Sequence, residues 1–433
     1  MNGRWVASGA FAALTGAWII LMLRQVPCLG AESYDTYRLM CYTDIPLIYN
    51  WRQLVEGQVP LFEAPVEYPV LTALFMEIAR RLVPLFGGLS EPGLSEAQIE
   101  QSTQLFFGIT AVMLFGCMLV AVWAHLQLQP RDAWMLAASP AVITCGLINW
   151  DALVVALTAL ALLAWSRGKP VASGVFIGLG VAAKLYPALL LVPLAALCLR
   201  AGRMREFGRT VAAACGAWAL VNLPFAIANP ANWALFWSFN EAHGADLGSI
   251  WLVLEQMGQA APNLSRAEFV LLALGTAGIV GVLLAAPKRP RLAQGVFLIV
   301  TLFAVVNKVY SPQYVLWLLP LLILANPRRG DWLLFTFAET LYFASVWLYF
   351  VAALDGTEYR FYWFAIAFRV GVQLWLSGRV VYDIFHPPAW DPETNEGILR
   401  GSADVVAYPL TRYREHPKKV LTVEPGTSAR WSQ

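Results

Sequence analysis

Long apolar runs recur along this chain, and they constrain its fold more than any other feature. About 20 apolar residues form a helix that crosses the roughly 30 Å hydrocarbon core of a bilayer. Hydrophobic residues make up 58% of the 433 residues and charged residues only 13%, against about 25% charged in soluble domains. The chain is predicted to be an all-α polytopic membrane protein with about 12 transmembrane helices. The runs are 5–23, 104–125, 133–148, 152–166, 171–183, 187–199, 210–228, 267–287, 292–306, 312–325, 331–353 and 361–382.

Several of these runs are shorter than a straight span requires and are interrupted by Asn, Lys or Pro. Non-helical backbone at membrane depth is tolerated where it lines a cavity. Interruptions that recur on one side of the membrane therefore predict a cavity on that side.

Lysine and arginine are concentrated in alternate loops, and this bias predicts the orientation. Arg4 and the basic loops 167–169, 200–209, 288–291 and 328–329 fall on one side when the runs are counted as spans. The positive-inside rule assigns that side, and both termini, to the cytoplasm. The first run follows Arg4 without an A-x-A cleavage signal, which predicts an uncleaved helix. The outward loops are then 24–103, 149–151, 184–186, 229–266, 307–311 and 354–360.

Residues 69–88 are apolar enough to be read as a further span, which would invert every later loop. They contain Glu77, Arg80 and Arg81, and residues 89–103 that follow hold acids but no Lys or Arg. These charges favour an interfacial amphipathic helix on the outer leaflet. The predicted organisation is a transmembrane domain, 1–382, whose extracytoplasmic loop 24–103 holds interfacial helices, and a poorly ordered cytoplasmic tail, 383–433, rich in Pro and charge.

Four polar clusters fall on the predicted outer face. Each lies at the end of an apolar run or beside one, where a charged group costs about 2.5–3.5 kcal/mol on insertion scales. Two acids and two lysines on one face predict a binding or catalytic site. The clusters are Tyr42-Thr43-Asp44, Asn149-Trp150-Asp151, Lys184-Leu185-Tyr186-Pro187 and Asn307-Lys308-Val309-Tyr310-Ser311-Pro312.

Each acid in these clusters has two interpretations, and so does Glu67, which lies outside them. Asp44 precedes a short amphipathic segment, so it is either a helix N-cap or a general base that takes a proton from an acceptor hydroxyl. Asp151 either caps the helix beginning at Ala152 or contacts substrate. Glu67, in Glu67-Tyr68-Pro69, is a second site acid or a helix-start charge.

The basic groups on the outer face are candidate phosphate partners. Lys184 and Lys308 share a lysine-x-aromatic context followed by proline and an apolar helix, and lysine serves as a point charge for phosphate. Isolated lysines at helix ends also snorkel to the interface. His243 in the loop 229–266 can hydrogen-bond a phosphate or an acceptor, or simply face solvent.

The remaining motifs, present or absent, limit which reactions and cofactors the sequence supports. Cys28 and Cys41 both lie in the first outer loop, where they form a disulfide or stay as thiols. No C-x-x-C pair or His-rich cluster predicts a metal site, and no P-loop, G-x-G-x-x-G or H-E-x-x-H motif is present. The net charge of +2 gives no basis for nucleic-acid binding. Without a large soluble domain for a nucleotide sugar, an activated donor would come from the membrane.

Together these motifs resemble the integral-membrane glycosyltransferases of the GT-C fold, specifically glycosyltransferase family 87. The resemblance covers residues 5–382 and rests on Asp44, on Asn149-Trp150-Asp151, on the run 178–187 and on the run 307–314. The family includes actinobacterial mannosyltransferases that use polyprenyl-phosphomannose. Glu67-Tyr68-Pro69-Val70 departs from the family pattern, in which a second proline is frequent.

The resemblance implies an inverting transfer, with mannose as the common sugar, on the outer face of a bacterial plasma membrane. It implies a polyprenyl-phosphate sugar donor and a glycan or glycolipid acceptor of the cell envelope, with Asp44 as catalytic base. Lys184, Lys308 and His243 would hold the carrier phosphate, without a metal or other cofactor. Further substrate contacts are predicted for Glu67, Tyr68, Asp151, Tyr186, Tyr310 and Gln313. The competing interpretation is a transporter or flippase of lipids or lipid-linked sugars, which broken helices also suit.

Overall fold

The computed structural model describes residues 3–30 and 33–386, and within them the regular secondary structure is helical, with no strand. Most of the predicted cytoplasmic tail therefore lies outside the described residues. The α-helices are α1 Gly3–Gln25, α2 Ser33–Arg38, α3 Asp44–Trp51, α4 Val70–Leu82, α5 Glu96–Leu128, α6 Ala133–Ala137, α7 Pro140–Cys145, α8 Asp151–Ser166, α9 Pro170–Ala183, α10 Leu191–Arg200, α11 Met204–Ala228, α12 Pro230–Ala242, α13 Ile250–Gln256, α14 Leu264–Ala285, α15 Leu292–Val306, α16 Val315–Ala325, α17 Arg329–Leu354 and α18 Phe361–Phe385.

Six of the described helices are long and apolar enough to cross a membrane: α1, α5, α11, α14, α17 and α18. This confirms a helical membrane protein. The other six predicted runs form shorter apolar helices, and they are the runs interrupted by Asn, Lys or Pro. The shorter segments are Ala133–Cys145, Asp151–Ser166, Pro170–Ala183, Tyr186–Arg200, Leu292–Val306 and Pro312–Ala325.

The short helices are joined by breaks that carry the predicted polar clusters. Helix α7 ends at Cys145 and α8 begins at Asp151, so Asn149 and Trp150 lie in a turn. Pro187 and Pro312 each stand near the start of a 3-10 helix, Tyr186–Leu190 and Pro312–Tyr314. Proline lacks the N–H that a helix interior needs, so the chain resumes its helix only after these turns.

The first outer loop contains short helices, as its amphipathic pattern predicts. Helix α4 spans Val70–Leu82 and gives way to a 3-10 helix at Val83–Phe86, where Pro84 interrupts it. Residues 69–88 are thus not one continuous helix, and neither piece is long enough to be a candidate span. The loop also ends earlier than predicted, because α5 begins at Glu96 with a capping box between Ser95 and Gln98.

The basic loops contact one another at the helix ends remote from these breaks. Arg200, the last residue of α10, donates hydrogen bonds to the carbonyls of Leu283 and Ala286 at the end of α14. Arg291, just before α15, donates to the carbonyls of Leu324 and Ala325 at the end of α16. Arginine at helix C-termini binds the last free carbonyls and complements the helix dipole.

The closest helix packing joins α9 to α11. Gly174 and Gly178 lie one turn apart on α9, and a Cβ at either would stand 2.2 Å from the carbonyl oxygen of Thr210 or Ala214. This small-xxx-small spacing lets two membrane helices approach at backbone distance. The contact holds α9 against α11. Lys184 follows directly after the last residue of α9.

Candidate active site

Asp44 is the first residue of α3, and its carboxylate is not used to cap the helix. Thr43 is the N-cap: its side chain accepts from the Ile45 N–H at 3.2 Å. The Asp44 N–H donates to the Ile148 carbonyl at 2.7 Å, which ties α3 to the break before α8. The N-cap interpretation of Asp44 is therefore wrong, and its carboxylate is directed to other side chains.

Two tyrosine hydroxyls surround the Asp44 carboxylate. Tyr68 donates to Oδ2 at 2.9 Å, and the Tyr42 hydroxyl lies within hydrogen-bonding reach. Burial raises the pKa of Asp44 above its ordinary value, and the two hydroxyls and the Lys184 charge partly oppose that shift. Asp44 keeps a partly exposed surface. A carboxylate that is partly accessible, with a raised pKa, suits a general base.

Asp151 and Lys184 form an ion pair beside Asp44. Lys184 Nζ lies 2.9 Å from Asp151 Oδ1, and the Trp317 indole donates to Oδ2 at 3.0 Å. Asn149 accepts from the Asp151 N–H at 3.0 Å, so Asn149 and not Asp151 makes the capping bond at the start of α8. Asp151 is 3% exposed, and its two oxygens hold Lys184 and Trp317 in place.

Aromatic rings enclose the Lys184 ammonium. Its Nζ lies 5.9 Å from the ring centroids of Tyr68 and Tyr314 and 5.4 Å from that of Trp317, distances typical of cation–π contact. Tyr68 links the two charged groups, because its hydroxyl binds Asp44 while its ring faces Lys184. The ammonium has three donors, and its side chain is 20% exposed beyond the Asp151 contact. It can therefore receive an anion.

A narrow aromatic cleft begins at this point. Tyr68 and Leu185 line its inner end, and α11 and α12 supply Trp218, Trp233 and Trp237. Its polar groups satisfy one another, since Trp233 Nε1 donates to Asn222 Oδ1 at 3.1 Å. The lining is thus apolar. Beside it, α11 exposes Leu220 and Ile227 at 78% and 79%, as a lipid-facing surface would.

His243 and Lys308 belong to a second polar group, formed by two loops that bind each other. His243 Nε2 lies 2.8 Å from Asp246 Oδ2, and the Asp246 N–H donates to the Lys308 carbonyl at 2.8 Å. Lys308 Nζ donates to the Glu241 carbonyl at 3.1 Å, near the end of α12. Tyr310, two residues after Lys308, lies 5.8 Å from Tyr314 between ring centroids, so this group borders the Lys184 site. The two lysines are not equivalent: Lys184 is paired with an acid, whereas Lys308 binds the last turn of α12.

Gly248 locks these two loops together, and we expect alanine there to disrupt them. Its φ is +74°, and a Cβ would lie 2.1 Å from the Tyr310 carbonyl oxygen and 2.2 Å from the Tyr342 hydroxyl. Left-handed strain alone costs about 1–3 kcal/mol, so Gly248→Ala should lower the unfolding midpoint in detergent. Gly244→Ala is the matched control, because a Cβ there has nothing within 4 Å. Equal midpoints for the two variants would contradict this interpretation.

The remaining predicted contact residues make no hydrogen bond to Asp44 or Lys184 in the described part of the chain, but Tyr186 reaches the centre indirectly, because its ring stacks on Trp317 at 4.7 Å between centroids. Arg52 binds Glu67 through two nitrogens at 3.0 and 2.9 Å. Tyr186 is buried, and its hydroxyl accepts from Thr158 at 2.8 Å. Tyr310 is fully buried, and Gln313 is 8% exposed. Their predicted substrate contacts stay predictions. Within the described residues, Tyr68 and Asp151 contact Asp44 or Lys184 directly, and Tyr186 packs behind them against Trp317.

Trp317, Tyr314 and a buried ion pair were not among the site residues predicted from the sequence. Arg369 of α18 binds Glu339 of α17 at 2.9 Å and donates to the Tyr310 carbonyl at 2.9 Å. Both charges lie inside apolar runs, and charged residues there usually mark a functional or bracing role. The signal was therefore present in the sequence. The pair braces the break that leads to Tyr314.

The chain matches the model of glycosyltransferase family 87 over residues 93–312. It belongs to glycosyltransferase family 87. Membership implies glycosyl transfer as the activity. The matched stretch contains Asp151, Lys184 and Lys308, whereas Asp44 and Tyr68 precede it. No curated protein matches this family 87 chain. Within residues 3–30 and 33–386, no group of three or more His, Cys, Asp or Glu could hold a metal ion.

Proposed function

We propose that this family 87 protein is an inverting transferase that moves a sugar, mannose first among the candidates, from a polyprenyl-phosphate donor to a cell-envelope glycan or glycolipid. The observation that carries the proposal is the convergence of Asp44 and Lys184 around Tyr68 at the inner end of the aromatic cleft. A base, a cation and an adjacent apolar surface are the three elements that such a reaction needs.

The transfer is a single displacement. The acceptor hydroxyl oxygen bonds to C1 of the sugar as the bond from C1 to the phosphate oxygen breaks, and the bonding pair leaves with polyprenyl phosphate. Asp44 takes the acceptor proton. One base is sufficient for inversion, because the acceptor attacks the face opposite the leaving group. Tyr42 and Tyr68 orient the Asp44 carboxylate through their hydroxyls.

Lys184 stabilises the leaving phosphate. The charge on the phosphate oxygen grows as the glycosidic bond breaks, and a fixed cation stabilises that charge most in a site poor in water. Asp151 and Trp317 hold the ammonium in place before substrate arrives. His243 and Lys308 are proposed to border the phosphate from the loop side.

The cleft supports a lipid donor over a nucleotide sugar. An isoprenoid chain gains about 0.8 kcal/mol for each buried CH₂. The enclosed space of the cleft is only about 10 Å³, so the chain would lie along the ring-lined rim of the cleft and the apolar surface of α11. Its position beside the exposed apolar face of α11 gives a lipid a direct path from the membrane.

The proposed arrangement is a GT-C fold in which the six shorter apolar segments also traverse the bilayer, for about 12 crossings. The basic loops and both termini face the cytoplasm of a bacterial cell, and the Asp44 face is extracytoplasmic. The catalytic domain is residues 1–382, with 383–433 as a cytoplasmic tail. Labelling from outside of a cysteine introduced next to Ser90, at the exposed Glu91, tests this orientation; protection of that position would contradict it.

The activity is tested with purified protein in lipid nanodiscs. Radiolabelled polyprenyl-phosphomannose and a bacterial lipid-glycan extract should give label in the glycan, with an inverted anomeric centre by NMR. Polyprenyl-phosphate glucose and arabinofuranose test the sugar, and GDP-mannose tests the donor class. Transfer from the nucleotide sugar alone would overturn the proposal. Movement of the lipid across vesicles without transfer would favour a flippase.

Removal of the Tyr68 hydroxyl should move the pH profile. Asp44 must be ionised to accept a proton, so activity is lost as pH falls through its pKa. The Tyr68 hydrogen bond lowers the pKa of Asp44; without it the pKa rises. The acidic limb of kcat/KM in Tyr68→Phe should therefore shift to higher pH. Tyr382→Phe, 62% exposed on α18, is the control. An unshifted limb in Tyr68→Phe would remove Asp44 as the titrating base.

A further inference from the structure

Four aromatic rings stack beside Asp44 on elements that do not belong to the cleft. Tyr37 lies 4.6 Å from Phe350 and 5.9 Å from Trp347 between ring centroids, with interplanar angles of 14° and 8°. Tyr42 lies 5.2 Å from Trp347 and 5.6 Å from Tyr37. We call Tyr37, Tyr42, Trp347 and Phe350 the aromatic wall. It joins the first outer loop to the outer end of α17.

The loop that carries Tyr37 is anchored at both ends. Cys28 and Cys41 are joined in a disulfide, the pairing that the sequence left open. Arg24 donates to the Met40 carbonyl and, at 2.8 Å, to the Thr144 carbonyl. Asp44 follows three residues after the disulfide. The disulfide and the Arg24 hydrogen bonds therefore hold both the aromatic wall and the segment that leads to Asp44.

The Asp44 carboxylate is linked to two separate sets of rings. Tyr68 connects it to Lys184 and the cleft, whereas Tyr42 connects it to Trp347 and the rest of the wall. Inversion requires the acceptor to approach the sugar from the face away from the phosphate. The set of rings without Lys184 is therefore the acceptor side.

The wall differs chemically from the cleft in a way that fits a sugar. Trp347 is 3% exposed and packs behind Tyr37 and Tyr42, whose rings it supports. Tyr37 and Tyr42 are partly exposed and carry hydroxyls. Tyr and Trp combine an apolar ring with a polar group. Specific pockets use a few such polar groups to orient a ligand. A sugar ring, with C–H faces and hydroxyl edges, matches that combination better than an isoprenoid does.

We propose that the partly exposed side of the aromatic wall is the acceptor subsite and binds the terminal sugar of the acceptor, with Tyr37 as the specificity-determining residue and Trp347 as the ring that supports it. The proposal rests on the proposed function. A sugar against Tyr37 lies next to Tyr42, whose ring is 5.6 Å away between centroids, and this delivers its free hydroxyl to Asp44.

The test compares wild type with Tyr37→Ala, which removes a ring, and Tyr37→Phe, which keeps the ring but removes the hydroxyl. Methyl α-mannobioside serves as the soluble acceptor, and hydrolysis of polyprenyl-phosphomannose without acceptor reports the donor site alone. Both variants should raise the acceptor KM by about tenfold with kcat unchanged, the signature of lost uniform binding. Donor hydrolysis should stay at the wild-type rate. Phe364→Ala, 54% exposed on α18, is the control.

The outcomes separate the two proposals. An unchanged acceptor KM in both variants, or donor hydrolysis that falls in parallel with transfer, would overturn the acceptor subsite and leave the glycosyltransferase intact. Saturation-transfer NMR of methyl α-mannobioside gives a readout without turnover, and its signal should weaken in Tyr37→Ala. A wild-type protein that neither hydrolyses nor transfers the sugar would instead overturn the proposed function.

Discussion

Asp44→Asn should abolish sugar transfer while leaving the protein folded. A general base contributes about 10²–10⁴-fold to rate, and asparagine cannot take the acceptor proton. The fold should survive, because the Tyr68 hydroxyl, 2.9 Å from Oδ2 in the native protein, can still donate to an amide oxygen. Thr43, not Asp44, caps α3, so the helix keeps its first turn. The measurement is transfer from radiolabelled polyprenyl-phosphomannose, at matched detergent elution profiles.

Glu91→Gln is the control for this variant. Glu91 is an exposed acid in the same outer loop, so its neutralisation changes the loop charge by the same amount without touching the site. Its transfer rate should equal that of wild type. Transfer by Asp44→Asn within a factor of about 10 of wild type, below the range for a base, would remove Asp44 from the mechanism.

Lys184→Met should unfold or strongly destabilise the protein, and a second substitution should restore the fold without restoring activity. Asp151 is 3% exposed, and removal of one partner from a buried ion pair costs about 3–5 kcal/mol. In Lys184→Met/Asp151→Asn both members of the pair are neutral, and the Trp317 indole keeps an oxygen to donate to. Asp44 keeps its two tyrosine hydroxyls. The double variant should regain a wild-type unfolding midpoint. Its transfer should stay about 10²–10³-fold low, since the phosphate has lost a fixed donor.

Lys169→Met provides the matched lysine. Lys169 is exposed and precedes α9, whereas Lys184 follows it, so the two residues flank one helix at opposite ends. Its stability and transfer should match wild type. A double variant with full transfer would show that the Lys184–Asp151 pair is structural only. A stable, inactive Lys184→Met would show that the ion pair contributes little to folding.

The sequence anticipated much of the site because its charges stand where membrane burial makes them costly. Asp44, Asp151 and Lys184 were each singled out on that ground, and they converge in the structure. Lys308 was chosen for its likeness to Lys184, yet it binds the Glu241 carbonyl. The shared lysine-aromatic-proline motif correctly predicts that the helix is broken at both places. It does not predict which group each lysine contacts.

Other site residues carried no local signal. Trp317 lies in the middle of an unbroken apolar run, and only its bond to Asp151, 166 residues away in sequence, distinguishes it. Tyr37 and Trp347 meet across more than 300 residues. Such pairs depend on how helices pack, which the pattern of one segment cannot reveal.

The sequence by itself determined that this chain is helical and membrane-embedded, because burying 58% hydrophobic residues without strand-like alternation leaves few other folds. It also determined where the helices break, since proline and lysine interrupt them locally. The tertiary structure alone decided the partner of each charge. In a dry interior an ion is stable only beside a matched group, and that group came from a distant helix: Asp151 for Lys184, and Glu339 for Arg369.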